Sequence, residues 1–262
     1  MLCLCDVSIS VDMTDSLMEK QKYTMKIEIC ETYEEISSKA RQIIVDNLIQ
    51  DQTLLLCAAT GGSPTRLYEM LAEEHTVNPD LFSGMRVIKL DEWGGIPMQH
   101  AGTCESYLQQ HLICPLEITT DRYISFQSNT GNPAVECQRI QQQLDKKGPV
   151  DICVLGLGMN GHIALNEPAG FLQPECHVAN LSSQSLRHPM ISEEDQKPSY
   201  GLTLGVANIL QSRQIIILIN GSHKREITRQ FLAKKITTIL PASLLWLHPN
   251  VTCLIDKEAA GS

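Results

Sequence analysis

The chain has 262 residues, 43% of them hydrophobic, and a net charge of −9, which is enough apolar material for a sizeable α/β core. That negative balance argues against extended contact with nucleic acid or an anionic membrane. A local pocket of backbone N–H groups can still hold a phosphate. Ten cysteines without a CxxC pair read as reduced thiols of a cytoplasmic protein, not as a disulfide framework or a zinc site.

Residues 1–25 lack a basic start and include Asp6, which makes a poor signal peptide. They read as a poorly ordered extension, with Met25 a candidate natural start and 26–262 the folded domain. No apolar run reaches about 18 residues, so no membrane span is expected. Lys26 to Ile29 alternates like a half-exposed strand. Tyr33 to Gln50 has helical spacing, with Ile36, Ala40, Ile43, Ile44 and Leu48 apolar. Thr53 to Ala58 is a buried strand, and Pro64 to Glu74 a helix with proline near its first turn. A strand at Arg86 to Leu90 leads into Asp91-Glu92-Trp93-Gly94-Gly95, read as a turn. Thr103 to His111 is helical, Asp121 to Phe126 a short strand, Pro133 to Lys146 a polar-faced helix and Asp151 to Leu155 a strand.

The stretch of about 170–199, with Pro174, Pro189 and Pro198, is irregular and long for a loop, as lids often are. A short helix is expected within Leu202 to Leu210. Then follow a strand at Gln214 to Ile219, a helix at Ser222 to Ala233, a helical turn at Ala242 to Leu247 and a strand at Val251 to Ile255. This alternation implies a single α/β domain, with an open, mostly parallel sheet flanked by helices on both faces.

Ligands bind at the carboxyl ends of such strands, and four segments fall there. Thr60-Gly61-Gly62-Ser63-Pro64 joins a strand to a helix. Its glycines admit close approach of an oxyanion, and the helix start supplies N–H groups and a favourable dipole. It matches neither GxxxxGK[ST] nor a strand-to-helix GxGxxG. Asp91 and Glu92 place carboxylates at a strand end, and Asp91 could act as base on a carbon acid. The loop Gly156-Leu157-Gly158-Met159-Asn160-Gly161 ends in His162, a residue type that can both take and give a proton. Glu167 could hold that ring in one tautomer. The loop fits the letters GxGxxG, but it comes late and is followed by a poor helix start. Lys224, at the start of a later helix, could reach an anion. Trp93 and Trp246 read as packing residues, although Trp93 is near enough to Asp91 to touch a ligand. The remaining histidines form no HxH or HExxH pattern, so no metal or cofactor is expected.

Taken together, Thr60-Gly61-Gly62-Ser63-Pro64, Leu90-Asp91-Glu92-Trp93, Gly158-Met159-Asn160-Gly161-His162-Ile163-Ala164-Leu165-Asn166-Glu167-Pro168 and Gly221-Ser222-His223-Lys224 resemble the glucosamine-6-phosphate deaminase/isomerase family over about residues 27–256. Gly102-Thr103-Cys104-Glu105, Leu172 to His177 and Pro241 to His248 are most similar to its galactosamine-6-phosphate branch. The resemblance implies a modified Rossmann-like fold with a lid. It implies a cytoplasmic enzyme that converts an amino-sugar phosphate to a ketose phosphate and ammonia, tagatose 6-phosphate if the sugar is galacto. Thr60, Gly61, Gly62, Ser63 and Lys224 would bind the phosphate. Asp91 would move a proton from C2 to C1. His162, with Glu167, would open the ring by shuttling a proton between the ring oxygen and O1. The ketimine formed would then be hydrolysed.

The deaminases usually carry aspartate where this chain has Asn160, an asparagine shared with the galactosamine branch. Arg187 is the candidate for the arginine that the glucosamine enzymes bring from the lid. The only partner implied is the small sugar phosphate, and a homo-oligomer stays open. The alternatives are the same chemistry on glucosamine 6-phosphate, a 6-phosphogluconolactonase and a non-catalytic sugar-phosphate sensor. A lactonase would show Asp-Glu-Arg where this chain has Asp91-Glu92-Trp93.

Overall fold

A computed structural model describes residues 25–192 and 197–261. Residues 1–24, most of the expected extension, lie outside that range. Met25, assigned above to the extension, is instead buried at the edge of the core, 7% exposed.

In chain order the elements are β1 (Lys26–Cys30), α1 (Tyr33–Gln50), β2 (Leu55–Ala58), α2 (Gly62–Val77), β3 (Arg86–Lys89), β4 (Asp91–Gly94), α3 (Cys104–Leu108), β5 (Tyr123–Ile124), α4 (Pro133–Lys147), β6 (Ile152–Gly156), β7 (His177–Ala179), α5 (Pro189–Ser192), β8 (Tyr200–Thr203), α6 (Val206–Leu210), β9 (Gln214–Ile219), α7 (Arg225–Leu232), β10 (Val251–Asp256) and α8 (Lys257–Ala260). Seven strands form one sheet in the order β1-β10-β9-β6-β2-β3-β5. Every pair in it is parallel.

Period-two alternation splits each central strand between two cores. Leu56, Val154, Ile216 and Leu254 face α1 and α2, meeting Ile36, Ile44, Leu48 and Leu67. Leu55, Cys57, Cys153 and Ile217 face the other way, against Ile140 of α4 and Phe231 of α7. Helices therefore cover both faces, as the alternating pattern requires. The caps follow sequence chemistry. Thr32 accepts from the Glu35 N–H at 3.2 Å. Asn132 accepts from the N–H groups of Ala134 and Val135, with Pro133 opening α4.

Three expectations need correction. Asp91 to Gly94 is a strand, not a turn. The parallel ladder ends where the Leu90 N–H donates to the Ala58 carbonyl at 3.2 Å, and β4 then pairs antiparallel with β8, Asp91 opposite Thr203. The 170–199 stretch is less irregular than its prolines suggest. It contributes β7 and α5, and β7 completes a small antiparallel sheet, β4-β8-β7. The strand expected over Asp121 to Phe126 shrinks to Tyr123–Ile124. The Arg122 guanidinium donates to the carbonyls of Phe82, Met85 and Glu117 and fixes a turn there instead. The small sheet starts at the carboxyl end of β3, one residue beyond it.

Candidate active site

A cleft of about 480 Å³ opens at the carboxyl ends of β2, β6 and β9. The turn after β2, the first residue of β4, the loop after β6, the segment before α7 and the lid residues Gln184, Ser185, Arg187, His188 and Pro189 all line it. Parallel strands point their free ends and the succeeding helix N-termini into one crevice.

The Thr60–Ser63 turn is built to leave N–H groups free. Gly61 sits at φ +102°, a conformation that side-chain-bearing residues rarely adopt. It is also the N-cap of α2, and no side chain caps the helix. The Gly61 carbonyl accepts from Tyr107 Oη at 2.9 Å, and the Gly62 carbonyl from Tyr33 Oη at 2.6 Å. Both tyrosines stand outside the cleft lining. A planar trans peptide turns the next N–H the opposite way, so those of Gly62 and Ser63 are directed to the cleft side. Ser63 donates to Asn220 Oδ1 at 2.7 Å and accepts from Lys224 Nζ at 3.0 Å. Burial lowers the Lys224 ammonium to about 8. Its described side-chain hydrogen-bond partner is the neutral Ser63 hydroxyl, with Asp256 attracting it at longer range, and it stands beside the N-terminus of α2. The Thr60 hydroxyl is turned aside, donating to Cys104 Sγ at 3.2 Å.

Asp91 lies across the cleft, 8% exposed. Burial, and then the neighbouring Glu92, push its carboxyl up to about 7, against the pull of His162. Its one described side-chain partner is Cys104 Sγ, at 3.8 Å. Glu92 points the opposite way and has a different task. It is fully buried and accepts from Lys89 Nζ at 2.6 Å, the Trp93 and Cys104 N–H groups at 2.8 Å and the Glu105 N–H at 2.9 Å. A carboxylate at the N-terminus of α3 is favourably placed. It fastens that helix, and the thiol of Cys104, beneath Asp91. Lys89 also donates to Glu105 at 2.8 Å.

His162 Nδ1 stands 3.6 Å from Glu167 Oε2. It is buried without a hydrogen-bond partner, so the two are close but not yet bonded. Glu167 thus lies beside the imidazole without a hydrogen bond to it. Glu167 accepts from Asn160 Nδ2 at 2.8 Å, from Ser182 Oγ at 3.0 Å and from Ser185 Oγ. Burial alone would raise this carboxyl, but nearby His162 and the Ser185 and Asn160 donors outweigh it and hold it at about 2. Asn160 Oδ1 accepts from the His162 N–H at 3.2 Å, so the asparagine bridges the histidine backbone to the glutamate. Gly158 leaves room for the ring: a Cβ there would lie 2.3 Å from His162 Cδ2.

The expected residues Thr60, Gly61, Gly62, Ser63, Asp91, His162 and Lys224 thus line one cleft, with Glu167 and Asn160 behind His162. Arg187 is exposed at its mouth. Trp93, 5% exposed, lines the cleft as well as packing. Sequence reasoning missed Asn220, the two tyrosines, the lid serines and His188. None lies in a glycine-rich turn, and each acts across more than ten residues of chain.

Fold and cleft define an α/β protein with an anion cradle facing an acid–base pair. A family model described as glucosamine-6-phosphate isomerases/6-phosphogluconolactonase matches residues 30–254. "Putative deaminase AgaI" of Escherichia coli (strain K12) is 38% identical over 92% of this chain and 96% of its own. Glucosamine-6-phosphate deaminase 1 of Bacillus subtilis (strain 168) is 34% identical over 90% and 98%. A monomeric glucosamine-6-phosphate deaminase of the NagB superfamily superposes with a TM-score of 0.85 at 34% identity, covering 90% of this chain and 99% of that one. The chain belongs to the glucosamine-6-phosphate isomerase/6-phosphogluconolactonase family, within the part of it whose members are named amino-sugar-phosphate deaminases.

Proposed function

We propose that the protein deaminates and isomerises galactosamine 6-phosphate, giving tagatose 6-phosphate and ammonia in the cytoplasm. The observation that carries this reading is one cleft in which a Lys224–Ser63 anion cradle faces the buried carboxyl of Asp91 and the His162–Glu167 pair. The substrate phosphate sits on the N–H groups of Gly62 and Ser63 and is neutralised by Lys224. Thr60 joins once its hydroxyl turns from Cys104. His162 takes the proton from O1 and delivers it to the ring oxygen, while Glu167 stabilises the charged imidazole. Asp91, ionised, takes the C2 proton of the open-chain sugar and returns it to C1, while the substrate ammonium gives up a proton and O1 gains one, leaving a C2 ketimine beside a C1 alcohol. Water then adds to the C2 ketimine, and ammonia leaves with the carbon–nitrogen bond pair. No step calls for a metal.

A carboxyl poised near 7 suits this role, because it can both accept and return a proton at neutral pH. The galacto preference rests on Leu90-Asp91-Glu92-Trp93 and Gly102-Thr103-Cys104-Glu105, which resemble that branch, and Cys104 of the second segment reaches Asp91 through its Sγ. Purified protein assayed for ammonia release with galactosamine 6-phosphate and glucosamine 6-phosphate side by side tests it. Faster release from the galacto sugar is expected. A gluco preference would keep the chemistry and move the substrate, and release from neither would reject the reaction.

A further inference from the structure

His188 stands in the lid, in none of the glycine-rich turns. Pro189 follows it and holds it extended, at ψ 136°. Its ring lies beside Trp93, centroids 5.9 Å apart. It also lies over the Thr60–Ser63 turn: a Cβ at Gly61 would come 3.3 Å from His188 Nε2 and 3.5 Å from Cε1. The imidazole edge therefore rests against the turn at Gly61, where a side chain would press on it. The other nitrogen is occupied, since Nδ1 accepts from the Met190 N–H at 3.3 Å. In the neutral ring this places the proton on Nε2, and no described group accepts it. Burial, His162 and Lys224 lower this imidazole to about 4, so it is a neutral donor beside the cradle's cation.

We infer that His188 is a phosphate ligand supplied by the lid, its Nε2–H completing the cradle formed by the Gly62 and Ser63 N–H groups and Lys224. The inference rests on reading that turn as the phosphate site, and names the lid residue that closes it. A phosphate monoester offers three acceptor oxygens, and the helix N-terminus and Lys224 approach from the floor of the cleft. His188 approaches from above, so binding phosphate and seating the lid become one event. Arg187 is solvent-exposed at the mouth and adds at most a screened charge. Trp93 becomes a platform that fixes the imidazole against the turn.

The test is calorimetric titration of the full-length protein with inorganic phosphate at pH 7, comparing wild type with His188→Ala, His188→Gln and Arg187→Gln. Loss of one hydrogen bond to a charged acceptor predicts about tenfold weaker binding in His188→Ala. His188→Gln keeps an N–H donor and should recover part of that loss, and Arg187→Gln should change affinity by less than about twofold. Unchanged affinity in His188→Ala, the main loss falling on Arg187→Gln, or no phosphate binding by the wild type would each overturn the inference. Thermal unfolding of each variant separates loss of the ligand from loss of the fold. Phosphate binding through His188 in a protein that releases no ammonia would leave the inference standing and remove the deaminase reading.

Discussion

Burial raises the Asp91 carboxyl to about 7, and this has consequences for stability as well as for chemistry. The unfolded chain ionises this residue near 4, whereas the folded one keeps it protonated until about 7. Between those values the native state holds the extra proton, so this group's contribution to stability falls as pH rises and is fully lost above about 7. Asp91→Asn removes the charge without removing bulk. Its ammonia release should drop by about a thousandfold or more, while inorganic phosphate still binds. The same variant should unfold at a higher temperature than wild type at pH 8, and the gain should vanish near pH 4. A lower melting temperature at pH 8 would contradict the buried-acid description.

Glu92 next to it makes the opposite prediction. Its carboxylate satisfies Lys89 and three backbone N–H groups with no exposure. Glu92→Gln leaves the Lys89 ammonium with Glu105 but sets an amide against three buried backbone N–H groups, and should cost about 1–3 kcal/mol in urea unfolding.

Between the strands of the large sheet and the lid, the glycine-rich loop after β6 is the element most tightly tied to chemistry. The Gly158 N–H donates to the His162 carbonyl at 3.1 Å, and the Gly161 N–H donates to the Gly158 carbonyl at 2.9 Å. The loop closes on itself without entering a helix. A methyl at position 158 would stand within van der Waals overlap of the His162 ring. Gly158→Ala should therefore swing the imidazole away from Glu167 and lower kcat by about a hundredfold, with phosphate affinity retained; an unaltered kcat would show that the loop yields instead.

This loop was legible in the chain because glycine and histidine mark their own places. So were α1, to the residue, and the parallel sheet, since buried strands are plain apolar runs. What escaped was pairing at a distance. Asp91 to Gly94 looked like a turn because its strand partner lies more than a hundred residues on, at Tyr200–Thr203. His188 gave no signal because its position depends on Gly61, Met190 and Trp93 together. Glu167 lies beside His162, but its donors Ser182 and Ser185 come from the lid, whose fold the prolines disguised.

Across the whole molecule, charge is distributed so that an acidic protein keeps a cationic spot at the cleft, where the proposed substrate would place its phosphate. With a net charge of −9, the chain sets Lys224 against helix N–H groups and lets burial pull its ammonium down to about 8. Asp91 must be ionised to accept a carbon-bound proton, which favours pH above about 7. Lys224 must be protonated to neutralise phosphate, which favours pH below about 8. A phosphate monoester is already largely dianionic above about 6. The two limits lie close together, so kcat/KM for the amino-sugar phosphate should describe a narrow bell between them, its limbs those of the free enzyme. The amine of the substrate also titrates on the alkaline side, and Lys224→Ala distinguishes the two. If the lysine sets the alkaline limb, that variant should show a raised KM, an almost unchanged kcat and a flat profile above pH 8. An alkaline limb that persists in Lys224→Ala would assign it to the substrate amine, and an unchanged KM in that variant would leave Lys224 without a role in binding the phosphate.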